Sequence, residues 1–223
     1  MNGQCQIGKP WYIDDSAPSV PGHFTAEHFS SLLKLDNQGV IINHYGDRNT
    51  LKPALKRYIN AIKNKHVAVI GTEVPWAEAV LINLGVDKVT TVEYRKIIIE
   101  HPRVYVITPY QFAEKFLNHT ANIFDAAFSY SSIEHAGLGR YGDPLMPYGD
   151  MEALAQIWCA TKPDGYLFLA LPMTDNRKEC ILQWNAHRKY GYIRMQHLTA
   201  NWKVLEEVNL LDTHFLYVLQ RVG

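Results

Sequence analysis

A glycine and an acid stand at the ends of two successive predicted strands and could together bind the sugar of a nucleoside. Gly71 follows the apolar run His66–Ile70, and Glu93 follows Lys88–Val92, 22 residues beyond Gly71. A carboxylate at that distance can accept hydrogen bonds from both ribose hydroxyls, and a glycine lets a ligand approach the backbone. An isolated pair of this kind is often a tight turn and a surface acid. The position of both residues at strand ends favours a binding site.

The turn after Gly71 distinguishes two classes of nucleoside cofactor. A pyrophosphate is usually bound by G-x-G-x-x-G, whose amides meet the phosphates at a helix N-terminus. Here Glu73 would repel a phosphate, and Pro75 removes an amide donor. S-adenosylmethionine (SAM) has no phosphate and carries two cationic groups, so the sequence favours SAM and leaves an NAD-dependent oxidoreductase as a weaker alternative. The predicted cofactor-contacting residues at the two strand ends are Gly71, Thr72, Glu73, Trp76, Glu93 and Tyr94.

The long loop 130–149, after the fourth predicted strand, holds candidates for acid–base chemistry. SAM is a methyl donor, and methyl transfer from it is an in-line displacement. The protein therefore positions the acceptor and, for a hydroxyl, removes its proton. His135 is the first candidate base because imidazole titrates near neutral pH. His187 and Asp143 are the other predicted catalytic residues. A structural role is an equal alternative for His135, and Asp143 can also be a turn residue.

Polar and aromatic residues near the same edge predict an acceptor site. Arg188 could bind a carboxylate or phosphate through its planar guanidinium, although a surface ion pair is a more common role. Glu134 has the alternative role of fixing the loop by hydrogen bonds. The predicted acceptor-binding residues are Glu134, Arg140, Tyr141, Asn185 and Arg188. The candidate ligands His135, Asp143, Asp150 and His187 lack the tight spacing of a metal site, so no metal is predicted.

Short apolar runs alternate with amphipathic helices from residue 66 onward. The predicted strands are His66–Ile70, Lys88–Val92, Val104–Ile107, Ile123–Phe128, Gly165–Leu171, and a hairpin of Trp202–Val208 and Phe215–Gln220. The predicted helices between them are Trp76–Leu84, Gln111–Leu117 and Met151–Ala160. This alternation is typical of a parallel sheet covered on both faces, to which a hairpin adds antiparallel strands. We therefore predict an α/β, three-layer Rossmann-like domain with a mostly parallel seven-stranded sheet and a C-terminal antiparallel hairpin.

Two further helices are predicted before this sheet. Thr25 is a plausible cap of the first, a turn follows at 43–49, and the spacing of Leu51, Leu55, Tyr58 and Ile62 predicts the second. Together they are too short for a core of their own. We therefore expect residues 1–64 to be an N-terminal extension and residues 65–223 to form the Rossmann-like, SAM-binding domain.

The composition argues against several functions. The 223 residues are 47% hydrophobic, and Lys+Arg and Asp+Glu both number 22, so there is no basic excess for nucleic acid or anionic lipid. We expect no membrane span, because no apolar run is long enough, and no signal peptide, because residues 1–20 lack its basic-then-apolar pattern. Because Cys5, Cys159 and Cys180 form no C-x-x-C pair, we expect free thiols in a reducing, cytoplasmic compartment, and an excised lumenal domain is the alternative. The oligomeric state stays open.

Two motifs resemble those of class I, Rossmann-like SAM-dependent methyltransferases. The stretch Phe124–His135, FDAAFSYSSIEH, is similar to their FD-x-V-x-S-x-x-x-x-EH, and Lys162–Leu167, KPDGYL, is similar to LKPGG-x-L. The resemblance covers residues 66–221 and implies that Ser129 and Ser131 flank the methionine part of SAM. The sequence departs from the usual pattern in keeping only the first glycine of the loop.

A closer resemblance is to a domain-of-unknown-function family that is known from nematodes and some bacteria and is regarded as methyltransferase-like. The residues that carry it are SIEH and GLGRYGDP within 132–144, and NAHR at 185–188. The resemblance implies an O-methyltransferase for a small-molecule or carbohydrate acceptor. The reduced glycine loop and the N-terminal helices also fit a non-catalytic Rossmann-like binding module, which is the second function that the sequence leaves open.

Overall fold

The computed structural model describes residues 4–9, 22–40, 50–121, 123–141, 143–183 and 186–223. The strands are β1 Gln6–Ile7, β2 Gly22–Phe24, β3 His66–Ile70, β4 Lys88–Val92, β5 Ile97–Ile99, β6 Val104–Ile107, β7 Phe124–Tyr130, β8 Thr161–Pro172, β9 Ile181–Gln183, β10 His187–Lys189, β11 Trp202–Leu211 and β12 His214–Arg221. The helices are α1 Ala26–Asn37, α2 Leu51–Arg57, α3 Ile59–Ile62, α4 Trp76–Asn83, α5 Pro109–Leu117, α6 Gly149–Ala160 and α7 Tyr192–Leu198. A 3₁₀ turn covers Ile133–His135.

A seven-stranded sheet in the order β11-β12-β8-β7-β3-β4-β6 organises the chain. The pairs β3–β4, β3–β7, β4–β6 and β7–β8 are parallel, whereas β12 runs antiparallel to both β8 and β11. The prediction of a mostly parallel sheet with a C-terminal hairpin is therefore confirmed. The chain leaves β3 for β4 on one side and later returns to β7 on the other, so the strand order reverses between β3 and β7. Ligands of such sheets bind at this reversal, outside the carboxyl ends of the strands.

Helices cover both faces of the sheet, which confirms the three-layer architecture. One apolar core joins Phe29 of α1, Leu55 of α2 and Leu81 of α4 to one sheet face. The other joins Leu154 of α6 and Met195 of α7 to the opposite face. The strands between the layers are apolar on both faces because both faces are buried.

The first of the two predicted N-terminal helices lies against α4, and an ion pair links the second to the first. The Thr25 side chain accepts a hydrogen bond from the backbone of His28 and caps α1 as expected. The buried Asp36 pairs with Lys52 of α2 at 2.7 Å and accepts from Asn83 of α4. The second predicted helix differs in being split into α2 and α3, and the break lies at Tyr58, whose ring packs against Tyr166 and Phe168 of β8. The predicted turn at 43–49 lies outside the described residues.

A disulfide bond joins Cys5 to Cys180, so the expectation of free thiols is wrong for these two residues. The bond lies where β1 pairs in parallel with β9, an arrangement that brings together cysteines 175 residues apart in sequence. Cys159 is free and exposed. The disulfide removes the thiol-based argument for a reducing compartment.

Among the described residues, no helix is both long enough and apolar enough to cross a bilayer.

We expect reduction of the Cys5–Cys180 bond to lower the free energy of unfolding. A cross-link between residues so far apart restricts the unfolded chain, and such bonds typically contribute about 2–4 kcal/mol. Urea unfolding of the wild type and of Cys5→Ser, each with and without reductant, measures the effect. Reductant should change the wild type alone, and equal sensitivity of the Cys5→Ser variant would contradict the prediction.

Candidate functional site

A cavity of about 670 Å³ opens at the carboxyl ends of β3, β4 and β7, where the strand order reverses. The position agrees with the general rule for ligand sites in open α/β sheets. Many of the residues predicted from the sequence line it, namely Gly71, Thr72, Glu73, Trp76, Glu93, Tyr94, Ser131, His135, Tyr141 and Asp143. Cofactor and acceptor candidates therefore meet in one space.

Glu93 and the turn after β3 are in direct contact. One carboxylate oxygen of Glu93 accepts from the Thr72 amide at 2.8 Å, and the other accepts from the Arg95 amide at 2.9 Å. Each carboxylate oxygen has two lone pairs, so each keeps one acceptor position. Glu93 is buried yet lines the cavity, and it can still bind two neighbouring hydroxyls.

Gly71 is needed for a reason that differs from the sequence-based one. Its φ is +75°, a backbone conformation that favours glycine. A Cβ at this position would collide with the Ser132 hydroxyl, so a protein side chain occupies the space that we assigned to a ligand. The sequence contains no local signal for this contact because Ser132 follows a different strand.

Charged residues surround the part of the cavity beside Gly71 and Glu93, where the cofactor candidates lie and which we call the cofactor end. Glu73 is exposed, and Glu93 and Glu152 also line the space. The guanidinium of Arg95 lies 3.8 Å from Glu93 and donates to the Thr72 carbonyl, a contact that the sequence analysis missed. Burial raises the pKa of the Tyr94 phenol, and the negative charges of Asp143, Glu152 and Glu93 raise it further. Acidic side chains predominate among these described residues, which suits a cation.

A second carboxyl group lies beneath the turn and was also missed. Glu78 of α4 is completely buried, and it accepts from the Thr91 hydroxyl at 2.8 Å. The Thr72 hydroxyl lies 3.4 Å from its other oxygen. Burial raises the pKa of Glu78 to about 7, with a smaller contribution from the charge of Glu93. A lone acid inside the apolar run of α4 is a sequence signal that could have identified it.

Aromatic rings line the cavity beside the turn. The Trp76 ring meets the Tyr130 ring edge-on at 5.1 Å, and Tyr130 stacks on His214 at 5.0 Å. Trp76 and Tyr130 both line the cavity, whereas the candidate Ser129 is fully buried outside the lining. Burial lowers the pKa of His214 to about 4, so its imidazole is neutral. Tyr130 and His214 were not predicted from the sequence.

His135 and Tyr141 line the part of the cavity that we call the acceptor end, where the acceptor candidates lie. The His135 ring has a defined tautomer. Its Nδ1 lies 2.6 Å from the Ala186 carbonyl, which can only accept, so Nδ1 carries the hydrogen and Nε2 has the lone pair. Burial is the largest cause that lowers the pKa of His135 to about 4, and the positive charge of Arg140 and the proximity of His187 also lower it. The ring is therefore neutral and can accept a proton at Nε2.

Asp143 is occupied by the loop itself. Its carboxylate accepts from the amides of Gly137 at 2.6 Å and Leu138 at 3.0 Å, and also from those of Gly139 and Tyr141. Three of these amides share one carboxylate oxygen, and the Tyr141 amide binds the other. The geometry therefore favours the turn role of Asp143 over the catalytic one.

Arg188 is not placed to bind an acceptor. Its side chain is buried, and its guanidinium donates to the carbonyls of Glu134, Ala136 and Pro147. The prediction that Arg188 binds an acceptor and the alternative of a surface ion pair are both corrected, because the buried guanidinium holds the loop 130–149 through backbone carbonyls. Arg194 donates to the same Pro147 carbonyl and forms two hydrogen bonds with the buried Asp150.

Glu134 also lies beneath the loop and outside the cavity lining. It accepts from the Ser131 hydroxyl, and its Oε1 is 3.9 Å from His135 Nε2. Burial raises the pKa of the Glu134 carboxyl to about 7. This position favours the role of fixing the loop by hydrogen bonds.

The remaining candidates lie around the acceptor end. Tyr141 packs its ring edge-on against His135 at 5.3 Å, and the Arg140 guanidinium lies over the Tyr141 ring. The His187 ring is 5.8 Å from that of His135, and burial lowers its pKa to about 4. Arg140 and His187 lie outside the cavity lining, and Asn185 lies outside the described residues. In the described part of the chain, no group of three or more acidic, histidine or cysteine side chains could hold a metal ion.

Comparison with protein families gives one match over most of the chain. The family described as "Caenorhabditis protein of unknown function, DUF268" matches residues 64–212. Those residues include every strand of the central sheet except β12. Among curated proteins, none matches the chain.

Solved structures of methyltransferases share the fold. The 1,6-didemethyltoxoflavin-N1-methyltransferase of Burkholderia thailandensis, with bound S-adenosylhomocysteine, gives a TM-score of 0.57 at 14% identity and covers 97% of this chain and 100% of its own. The N-methyltransferase NodS of Bradyrhizobium japonicum WM9 gives 0.52 at 13% identity, with 77% and 94% covered. An O-methyltransferase family protein of B. thailandensis gives 0.53 at 10% identity, with 90% and 64% covered.

Proposed function

Because the chain belongs to the DUF268 family and has the fold of SAM-dependent methyltransferases, we propose that it transfers a methyl group from SAM to a hydroxyl of a small-molecule or carbohydrate acceptor. The observation that carries the proposal is Glu93, which lines the cavity at the end of β4 and is hydrogen-bonded to the turn after β3. Its two remaining acceptor positions match the two hydroxyls of a ribose.

The residues present fit SAM. Glu93 would hold the ribose, Tyr94 and Trp76 offer aromatic surface, and Glu73 adds negative charge near a cationic ligand. The acidic turn lacks the amide array that a pyrophosphate needs, which supports SAM over NAD. When bound, SAM supplies an electrophilic methyl group on its sulfonium.

The acceptor end supports a neutral, hydroxylated acceptor. His135 presents an unprotonated Nε2, and Tyr141 is 39% exposed, so its ring can stack on a sugar or aromatic ring. The balanced charge of the chain supports a small molecule or glycan over nucleic acid or a membrane surface. His135 would remove the hydroxyl proton as the methyl group is transferred.

Isothermal titration of the purified chain with SAM, S-adenosylhomocysteine and NADH tests the cofactor. We expect SAM and S-adenosylhomocysteine to bind and NADH not to bind. Absence of both SAM and S-adenosylhomocysteine binding at millimolar ligand would remove the enzyme and leave the non-catalytic binding module. Transfer of labelled methyl from SAM to a panel of monosaccharides and phenols then identifies the acceptor class.

Replacing His135 by asparagine is expected to slow methyl transfer about 100-fold or more, the usual contribution of a general base, with little change in SAM affinity. Because the neutral ring is the base and its pKa is about 4, the His135-dependent rate should be constant above about pH 5 and fall as pH decreases through 4. Single-turnover rates across pH and titration with SAM measure the two effects. His197→Asn, an exposed histidine of α7, is the matched control. A His135→Asn rate equal to that of the control would exclude His135 as the base.

A further inference from the structure

Glu78 is a buried acid without a cationic partner in the described part of the chain. Its carboxylate lies between Thr91 of β4 and Thr72 of the cofactor turn, both of which present hydroxyls to it. A fully buried carboxylate normally pairs with a positive charge, since ionisation away from water is unfavourable. Glu78 itself does not line the cavity, but Thr72, whose hydroxyl faces it, does, so a ligand in the cavity could supply the balancing charge.

The elements packed against α4 contribute the other groups that could act on Glu78. Their charged or titratable residues are Glu73 in the turn, Lys88 and Glu93 on or beside β4, and Glu27, His28, Lys34 and Asp36 on α1. Asp36 is paired with Lys52, and Arg95 lies against Glu93. Of all these groups, Glu93 is the one whose charge acts on the pKa of Glu78, and it raises that pKa.

We propose that Glu78 is a positioning residue that supplies a second negative charge beneath the cofactor turn and makes the site prefer the cationic sulfonium SAM to its uncharged thioether product. The inference rests on the proposed function, since it assumes that SAM occupies the cavity. Thr72 connects the two parts, because its amide binds Glu93 and its hydroxyl faces Glu78.

The preference should depend on pH, and its sign follows from burial. Burial raises the pKa of Glu78 to about 7, so the group is neutral at pH 5.5 and mostly ionised at pH 8. A cation in the cavity stabilises the ionised form, so SAM binding releases a proton near pH 7 and strengthens as pH rises. S-adenosylhomocysteine lacks the sulfonium charge but carries the same amino-acid group, whose titration cancels in the ratio of the two affinities.

The experiment is a titration of the wild type and of Glu78→Gln with SAM and with S-adenosylhomocysteine at pH 5.5, 7.0 and 8.0. Two buffers of different ionisation enthalpy report the protons released. In the wild type we expect the ratio of SAM to S-adenosylhomocysteine affinity to rise on the order of tenfold from pH 5.5 to 8.0. In Glu78→Gln the ratio should be flat and the extra proton release on SAM binding should disappear. Glu27→Gln, an exposed acid of α1, should behave as the wild type.

Glutamine keeps the size of Glu78 and can accept from Thr91 while donating to the Thr72 hydroxyl. Thr91→Val is a second variant, because loss of the Thr91 hydrogen bond should raise the pKa of Glu78 and move the midpoint of the ratio to higher pH. This variant tests the proposal even if Glu78→Gln does not fold.

The outcomes separate the two proposals. If the wild type binds neither SAM nor S-adenosylhomocysteine, the proposed function fails, and the role of Glu78 fails with it. If the wild type binds both with a ratio that does not change with pH, or if Glu78→Gln keeps the wild-type pH dependence, the role of Glu78 is overturned and the proposed function stands.

Discussion

Glu93→Ala is expected to weaken SAM binding about 100-fold or more, since two charge-assisted hydrogen bonds of about 1.5–3 kcal/mol each would be lost to the ribose. The same change leaves the amides of Thr72 and Arg95 without their acceptor and so loosens the turn. S-adenosylhomocysteine has the same ribose and should lose affinity to a similar extent. Isothermal titration with both ligands measures the effect.

The control separates ligand contact from folding. Glu27→Ala removes an exposed acid of α1 and should leave both affinities unchanged. Thermal unfolding of Glu93→Ala without ligand shows how much of the loss is due to the fold. Affinities within threefold of the wild type would contradict the role of Glu93 and with it the assignment of the cavity to SAM.

The sheet could be predicted from the sequence because its signals are local. Each of the central strands is a short apolar run bounded by turn residues, and His66–Ile70, Lys88–Val92 and Val104–Ile107 were predicted with the bounds that the structure shows. The short strands β1, β2, β5, β9 and β10 were missed. Their two or three residues have no periodicity. β1 and β2 are strands because they pair with the distant β9 and β5, whereas β9 and β10 also pair with each other in a short hairpin.

The candidate site was predicted where it depends on strand ends and missed where it depends on long-range contacts. Gly71 and Glu93 follow adjacent strands, so their meeting follows from the fold alone. The use of Arg188 could not be predicted, because the carbonyls that it binds in Glu134 and Ala136 precede it by 54 and 52 residues. The Cys5–Cys180 bond depends in the same way on the pairing of β1 with β9.

Two residues that were selected for their chemistry stabilise the loop 130–149 instead. Asp143 and Arg188 were selected because carboxylates and guanidinium groups can do chemistry, and both instead bind backbone groups of the loop. These contacts help to orient His135. The strand β10, which carries Arg188, directly follows Ala186, and the Ala186 carbonyl sets the tautomer of His135. Of the predicted catalytic residues, Asp143 is therefore engaged by the loop, and the roles of His135 and His187 as bases stay predictions.

Asp150→Asn is expected to lower the free energy of unfolding by about 3–5 kcal/mol, the usual cost of breaking a buried ion pair from one side. Asp150 is fully buried, forms two hydrogen bonds with Arg194, accepts from the Tyr190 hydroxyl at 3.1 Å and lies 3.8 Å from Arg188. Asparagine keeps the shape but removes the negative charge that faces the two buried guanidinium groups. Urea unfolding of the variant and the wild type measures the loss.

Two further variants test this explanation. Asp175→Asn changes an exposed aspartate and should alter the free energy of unfolding by less than about 0.5 kcal/mol. The double variant Asp150→Asn/Arg194→Met removes both partners of the main pair, so its loss should be smaller than the sum of the two single losses. Additive losses, or a loss below about 1 kcal/mol in Asp150→Asn, would show that the network does not hold the loop.

Since Arg188 and Arg194 both donate to the Pro147 carbonyl, a weakened network should also lower the methyl-transfer rate through displacement of His135. The affinity for SAM, which depends on Glu93, should be retained.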